Sequence, residues 1–90
     1  RAKTPEERVA VCTSAIEADT TFAEAYVARA RARRALARAR AIQGQDGRTL
    51  VSEALADLDE AIRQEPEAAL AYLVQGQLHL QTGKSDPDSR

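Results

Sequence analysis

Six arginines lie within residues 28–40, which read ARARARRALARAR, with alanine or leucine in the gaps and no acidic residue. An arginine guanidinium is always charged, and it can bind a carboxylate or a phosphate through two parallel hydrogen bonds. Three interpretations fit such a segment: a basic arm for nucleic acid, a helix for a membrane surface, and a scaffold helix with a charged coat. The residues around these arginines decide between them.

The other reactive side chains form no pattern typical of a catalytic or metal site. Cys12 is the only cysteine and His79 the only histidine, so neither has a partner of its own type for a metal site. The turn GQDG at 44–47 lacks the preceding strand and the following Gly-Lys-Ser/Thr of a phosphate loop. Three acidic residues are expected on a solvated face of the third helix, namely Asp57, Asp59 and Glu60. We therefore predict no catalytic residue, no metal and no cofactor.

Helical periodicity predicts an all-α chain of about four helices, followed by a polar tail at 83–90. The helices are expected at 5–18, 22–43, 49–65 and 67–82. Thr4 and Glu7 have the spacing of a capping box ahead of the first helix, and Thr21 and Glu24 have it ahead of the second. Glycines at positions 44 and 47 are expected to end the long second helix.

Composition and length limit the chain to a single domain with a thin core. Of its 90 residues 43% are hydrophobic, but alanine supplies about half of these. Because the chain begins with Arg1 and contains no methionine, we expect it to be a piece of a longer protein. No apolar run is long enough to span a membrane. The single cysteine excludes an internal disulfide and favours a reducing, cytoplasmic compartment.

The sequence repeats itself at an offset of 46 residues. AIEADTTFAEAYV at 15–27 aligns with AIRQEPEAALAYL at 61–73. The aligned pairs include two isoleucines and two tyrosines, Ile16 with Ile62 and Tyr26 with Tyr72. Shared alanines carry little weight in so alanine-rich a chain. The paired isoleucines and tyrosines, with a helix break between them, indicate two copies of one helical module.

The second copy resembles the tetratricopeptide repeat family. Its segment EALADLDEAIRQEPEAALAYLVQGQLHLQTG carries small and large apolar residues, a helix-breaking proline, an aromatic residue and two glycines in that family's order. These are Ala54, Leu58, Ala61, Pro66, Tyr72, Gly76 and Gly83, with Gly76 at the position where helices cross closely. The resemblance covers about residues 6–86. It implies antiparallel helical hairpins stacked as a fragment of an α-solenoid, which binds peptides or proteins on a concave face and performs no chemistry itself.

Two features depart from the family pattern. The family period is about 34 residues, so an offset of 46 implies about 12 extra residues, which we expect to lengthen the arginine helix and its following turn. Arg29 and Arg33 occupy positions where the family has large apolar residues, and Gln75 and His79 occupy them in the second copy. How tightly the units pack at these positions is left open by the sequence.

A helical wheel divides the six arginines into two opposite stripes, Arg29, Arg33 and Arg40 against Arg31, Arg34 and Arg38. Two alanine-rich faces lie between the stripes and let other helices approach from both sides. We therefore predict a scaffold helix with a basic coat, placed between the first and third helices. The absence of a bulky apolar face argues against a membrane surface. The net charge of −1 and the absence of interleaved aromatic residues argue against nucleic acid.

The family resemblance places the second stripe on the concave face. The residues implied there are Val27, Arg31, Arg34 and Arg38, with Leu73, Val74, Gln77 and Leu80 in the next unit. We predict that the arginines bind an acidic side chain or a C-terminal carboxylate of a peptide, while the apolar neighbours cover its side chains. Two alternatives stay open: neutralisation by the acids of the third helix, and nucleic-acid binding whose affinity falls steeply with salt.

The predicted function is therefore non-catalytic protein–protein interaction or scaffolding. The alternative is a regulatory or spacer segment of a larger enzyme or signalling protein that has no ligand of its own. The fourth helix is apolar on nearly all sides, so we expect either the next helix of a longer chain or a second copy of this one to cover it.

Overall fold

A computed structural model describes residues 3–82, and its regular structure over that range is entirely helical. Four helices follow one another: α1 (Pro5–Ala18), α2 (Ala23–Ile42), α3 (Arg48–Gln64) and α4 (Ala69–Thr82). Each begins and ends within two residues of the bounds predicted from periodicity. The largest difference is at α4, where Pro66 lies in a turn and the helix begins three residues later. The all-α class is thus confirmed.

The arginine helix α2 lies at the centre of this arrangement. It packs against α1 on one side and α3 on the other, while α4 packs on α3 and also contacts α2. α2 and α3 run antiparallel, because Arg29 contacts Asp57 and Arg33 contacts Glu53, so positions rise on one helix as they fall on the other. The predicted placement of the arginine helix between the first and third helices is what the structure shows.

Small side chains build most of the core. Alanines with no exposed surface lie where the helices meet, beside a few larger apolar residues. The fully or almost fully buried set is Ala30, Ala54, Leu58, Ala61, Ala71, Val74 and Leu78. Because alanine adds little volume, the backbones can approach closely, but each contact buries less apolar area than a leucine core would. Because the core is thin, the stability of the chain depends strongly on the few hydrogen bonds and ion pairs between its helices.

The start of α1 confirms one predicted cap. Thr4 Oγ1 accepts a hydrogen bond from the Glu7 N–H at 3.2 Å, and Glu7 Oε1 accepts one from the Thr4 N–H at 2.8 Å. This reciprocal pair satisfies two backbone donors that the first turn leaves without helical partners.

The capping box predicted at Thr21 and Glu24 is wrong. Asp19 Oδ1 accepts hydrogen bonds from the N–H and the hydroxyl of Thr21, at 3.0 and 2.6 Å, and these bonds lower the pKa of Asp19. α2 begins after Phe22 without a side-chain cap. The sequence pattern was misleading because an aspartate two residues upstream competes for the same threonine.

The glycines serve different purposes. Gly44 follows the end of α2 with φ +77°, a left-handed conformation that favours glycine. Gly47 does not end α2 but precedes α3, where an added Cβ would lie 3.0 Å from the Ala37 carbonyl oxygen. Gly76 has open space around it among the described residues, so the expected close crossing is not found there. Gly83 and the predicted tail lie outside the described residues.

The offset of 46 residues seen in the sequence recurs in the structure. α1 and α3 end at positions 18 and 64, and α2 and α4 begin at positions 23 and 69. In the first turn Tyr26 Oη donates to the Thr20 carbonyl at 3.2 Å, and in the second Tyr72 Oη donates to the Pro66 carbonyl at the same distance. The two copies of the repeat therefore share their turn geometry.

A search of the described helices for one that is long and apolar enough to cross a bilayer finds no candidate.

Candidate functional site

One stripe of arginines is tied to α3 by a buried carboxylate. Asp57 is only 4% exposed, and its two oxygens accept hydrogen bonds from Arg29 Nε and Nη2 at 3.0 and 2.7 Å. Arg33 Nη1 donates to the same carboxylate at 2.7 Å. The prediction that Asp57 lies on a solvated face is therefore wrong. The helical wheel of α3 alone could not show which of its carboxylates turns towards α2.

Arg29 joins three helices. Its Nη1 donates to Thr13 Oγ1 on α1 at 3.2 Å, while its other nitrogens bind Asp57 on α3. The guanidinium carbon also lies 5.8 Å from the centre of the Tyr26 ring. The hydrogen bonds to Asp57 raise the pKa of Arg29. Arg29 and Arg33, for which the sequence resemblance implied large apolar residues, thus pair with an acid instead.

The other two acids proposed to neutralise arginines do not reach α2. Glu60 pairs with Arg63 on its own helix, and this contact lowers the pKa of Glu60. Asp59 is exposed and forms no ion pair with any residue between 3 and 82. Glu53 lies 3.8 Å from Arg33 and is half exposed. Internal neutralisation therefore acts on Arg29 and Arg33, whereas Arg40 of the same stripe has no ion pair among residues 3–82.

The opposite stripe has no acidic partner in the described part of the chain. Arg31 and Arg38 are exposed, and Arg34 is half-buried. Arg34 Nε is buried without a hydrogen-bond partner among residues 3–82. The carbonyl of the same residue accepts a hydrogen bond from Gln81 Nε2 on α4 at 3.4 Å. Arg31, Arg34 and Arg38 are thus the arginines of this stripe left available to something outside the described chain.

Two of these free arginines line a cleft between α1 and α2, here called the basic cleft. Its volume is about 420 Å³. Its cationic lining residues are Lys3, Arg8, Arg31 and Arg34. Its apolar lining residues are Val11, Cys12, Ala28, Ala32 and Ala35. No acidic residue of the described chain lines it, so the cleft combines positive charge with apolar surface.

The contribution of α1 to this cleft was not predicted from the sequence. Arg8, Val11 and Cys12 are spaced three and four apart, which places them on one face of α1. Ala28, Ala32 and Ala35 have the same spacing on α2. That signal was present, but only the packing of the two helices shows that these faces meet.

The remaining predicted site residues are divided between core and surface. Val27 is 6% exposed and Val74 is 1% exposed, so both lie in the core and cannot contact a peptide from the surface. Leu73 and Leu80 are exposed, at 57% and 72%, and Gln77 is half-buried. None of these five residues lines the basic cleft. The structure therefore brings Arg31 and Arg34 together with residues of α1, whereas the α4 residues lie apart from that cleft.

The two lone reactive side chains lie in different places. Cys12 is partly buried in the lining of the basic cleft, and this burial raises the pKa of its thiol. His79 is exposed and borders a separate cavity of about 540 Å³ where α3 and the C-terminal parts of α2 and α4 meet. Within residues 3–82 no three His, Cys, Asp or Glu side chains are grouped so that they could hold a metal ion.

Fold and site together define an all-helical chain in which one basic helix carries a structural face and an open face. Comparisons with protein-family models, with curated proteins and with solved structures give no match. What the chain does must therefore be inferred from its own geometry.

Proposed function

We propose that this chain is a tetratricopeptide-like protein-interaction module that binds an acidic peptide segment through Arg31, Arg34 and Arg38. The observation that carries the proposal is the division of the arginines on one helix. Arg29 and Arg33 are bound by α3, whereas the opposite stripe has no acid partner between residues 3 and 82. Unpaired arginines on a folded helix offer strong, directional donors to a carboxylate.

The repeat supports the tetratricopeptide-like architecture. Helix ends and tyrosine hydrogen bonds recur at the same offset of 46 residues, and the family's helical hairpin is matched by antiparallel α2 and α3. α4, the counterpart of α2, also contacts it, as the first helices of successive units do in a solenoid. On this interpretation α2 and α4 contribute to the concave face.

In the proposed complex the three arginines bind acidic side chains or a terminal carboxylate. Leu73 and Leu80 are exposed on α4 beside this helix, and we propose that they cover apolar side chains of the same segment. Val27 and Val74 support the surface from beneath. No catalytic step is part of the proposal.

Two other functions compete with it. A spacer segment without a ligand is favoured by the Arg29–Asp57–Arg33 cluster, because that cluster shows arginine used for structure alone. Nucleic-acid binding gains no such support, because no aromatic residue lines the basic cleft for base stacking.

A peptide array tests the proposal. Acidic, neutral and basic peptides are probed with the wild-type chain and with Arg31→Glu/Arg34→Glu/Arg38→Glu. We expect acidic peptides to bind best and the triple variant to lose at least about tenfold in affinity, since several charge-assisted bonds are reversed.

The matched control is Arg40→Glu/Arg48→Glu/Arg63→Glu, which changes the net charge equally but leaves the proposed surface intact. It is expected to bind nearly as the wild type does. Equal losses of affinity in both triple variants would mean that net charge alone explains the binding. An array without preference for acidic peptides would favour a spacer segment that has no ligand. Circular dichroism checks that each variant is helical.

Self-association through α4 stays a second prediction. Leu73 and Leu80 expose apolar surface there, and no described element covers them. We expect light scattering to show concentration-dependent association that Leu73→Glu abolishes. Ile42→Glu is the control, because Ile42 is 85% exposed elsewhere on the surface. A strict monomer at high concentration would count against a second copy as the cover.

A further inference from the structure

The turn between α2 and α3 contains the only Asp-Gly dipeptide in the sequence, Asp46–Gly47, and the chain has no asparagine. Glycine lacks a Cβ, so its backbone nitrogen is unhindered and the chain around it rotates easily. Such a nitrogen can reach the side-chain carboxyl carbon of the preceding residue and close a five-membered imide ring. Among the peptide bonds of this chain, Asp46–Gly47 is therefore the one whose residue types most favour this rearrangement.

Both reacting groups of this dipeptide are accessible in the structure. The Gly47 N–H donates no hydrogen bond to any residue between 3 and 82, so no acceptor holds the nitrogen in place. The Asp46 side chain is 60% exposed, so water reaches its carboxyl group. The nucleophile and the water needed to open an imide ring are thus present at the same turn.

The packing of Gly47 restrains the turn. Its carbonyl accepts a hydrogen bond from the Val51 N–H at 3.1 Å, which joins the turn to the start of α3. A Cβ added at Gly47 would lie 3.0 Å from the Ala37 carbonyl oxygen, so the glycine packs closely on α2. Ring closure therefore needs a local opening of the turn, and we expect the folded chain to react more slowly than the unfolded chain.

Arg48 holds the carboxylate of Asp46. The Arg48 N–H donates to Asp46 Oδ1 at 2.9 Å, and its guanidinium donates to both oxygens through Nε, at 3.1 and 3.2 Å, and to Oδ2 through Nη2, at 2.9 Å. These bonds lower the pKa of Asp46 to about 2, so the side chain is almost entirely ionised at neutral pH. A carboxylate condenses with an amide nitrogen far more slowly than the neutral acid does, because the departing oxygen needs a proton.

The exposure of this ion pair limits how strongly it can protect the dipeptide. The Arg48 side chain is 82% exposed, and exposed ion pairs are weak and open readily. Salt weakens them further by screening. The pairing therefore slows the rearrangement by a small factor and does not prevent it.

We infer that Asp46–Gly47 is a site of spontaneous isomerisation whose rate Arg48 limits by holding the Asp46 carboxylate. Once Asp46 is released and protonated, the Gly47 nitrogen bonds to its Cγ, and the carboxyl hydroxyl leaves as water with the N–H proton. A water molecule then adds to the main-chain carbonyl carbon of Asp46 and breaks its bond to the Gly47 nitrogen, which leaves isoaspartate. No oxidant, reductant or further co-reactant is needed, and the proposed peptide binding is not involved.

Ageing of the full chain at neutral pH tests the site. Isoaspartate has the mass of aspartate, so proteolytic peptides are separated by chromatography and the residue is located by electron-transfer fragmentation. In guanidinium chloride we expect isoaspartate to accumulate at Asp46 ahead of every other aspartate, and in buffer to accumulate there severalfold more slowly. Earlier conversion of another aspartate in the denatured chain would overturn the site, as would an Asp46 that stays unchanged in buffer.

Arg48→Gln tests the role of the ion pair, and Arg63→Gln is its matched control. Both variants remove one exposed arginine from α3, but Arg63 pairs with Glu60 and not with Asp46. We expect Arg48→Gln to speed isomerisation at Asp46 in buffer about threefold, the size that an exposed ion pair allows. Arg63→Gln is expected to react at the wild-type rate. Equal rates in wild type and Arg48→Gln would contradict the role of Arg48.

Three further measurements separate this role from a general loss of stability. Arg48→Lys keeps the charge but loses the paired donors, so its rate is expected to lie between those of the wild type and Arg48→Gln. Added sodium chloride is expected to speed the wild type and to leave Arg48→Gln unchanged. Hydrogen exchange of the buried α2 amides reports unfolding. If exchange in Arg48→Gln accelerated as much as isomerisation did, unfolding would be the cause and the assignment to Arg48 would be wrong.

Discussion

The two faces of α2 both carry arginine, but the arginines have different roles. On one face Arg29 and Arg33 surround a carboxylate that is 4% exposed, and they hold α2 to α3 and, through Thr13, to α1. On the other face Arg31 and Arg38 extend into solvent without an acid from residues 3–82. The partner helix, and not the arginine itself, therefore decides which guanidinium is structural and which is available to a ligand.

The substitution with the largest expected effect on stability disrupts the face of α2 that binds Asp57. Asp57→Ala leaves two partly buried guanidinium groups without their carboxylate, and we expect it to lower the free energy of unfolding by about 3 kcal/mol. That is a large fraction of the stability of so small a domain. Urea denaturation followed by circular dichroism measures the change.

The control for this variant is Asp59→Ala, on the same helix and with the same gain in helix propensity. Asp59 is exposed, so its replacement is expected to change stability by no more than about 0.5 kcal/mol. If the two substitutions had equal effects, the buried cluster would not hold α2 in place. The two faces of α2 would then not differ in their contribution to the free energy of unfolding.

Much of this architecture was readable from the sequence. Apolar periodicity predicted four helices whose ends lie within two residues of those observed, and the wheel predicted two arginine stripes with α2 between its neighbours. These features depend on spacing along one helix, which a single sequence contains. The Thr4 cap was equally predictable, because its partner lies only three residues away.

What the sequence could not supply depends on contacts between helices. Asp57 and Asp59 are two positions apart, and only the orientation of α3 against α2 buries the first and exposes the second. Arg8 joins the cleft for the same reason, because it is the packing of α1 that brings it beside Arg31. Periodicity identifies faces, whereas the choice of face that meets a neighbour is a tertiary property.

Equivalent residues in the two copies of the repeat also differ in their exposure. Val27 on α2 is buried, whereas its counterpart Leu73 on α4 is 57% exposed. Ala30 has no exposed surface, whereas its counterpart Gly76 has open space around it. α2 has neighbours on both sides and α4 has described neighbours on one, so equivalent residues differ in burial because of their position in the stack. In the proposed solenoid, a further unit would pack on the side of α4 that has no neighbouring helix among residues 3–82.

The substitutions with the smallest expected effect on stability lie on the exposed face of α2. Arg31→Ala and Arg38→Ala remove exposed side chains that have no acid partner among the described residues, so each is expected to change the free energy of unfolding by less than about 0.5 kcal/mol. Alanine's helix propensity and reduced repulsion with Arg34 both act in the stabilising direction. The same urea titration used for Asp57→Ala measures these variants. A loss above about 1 kcal/mol would mean that these arginines hold the fold together, and the two faces of α2 would then not differ in kind.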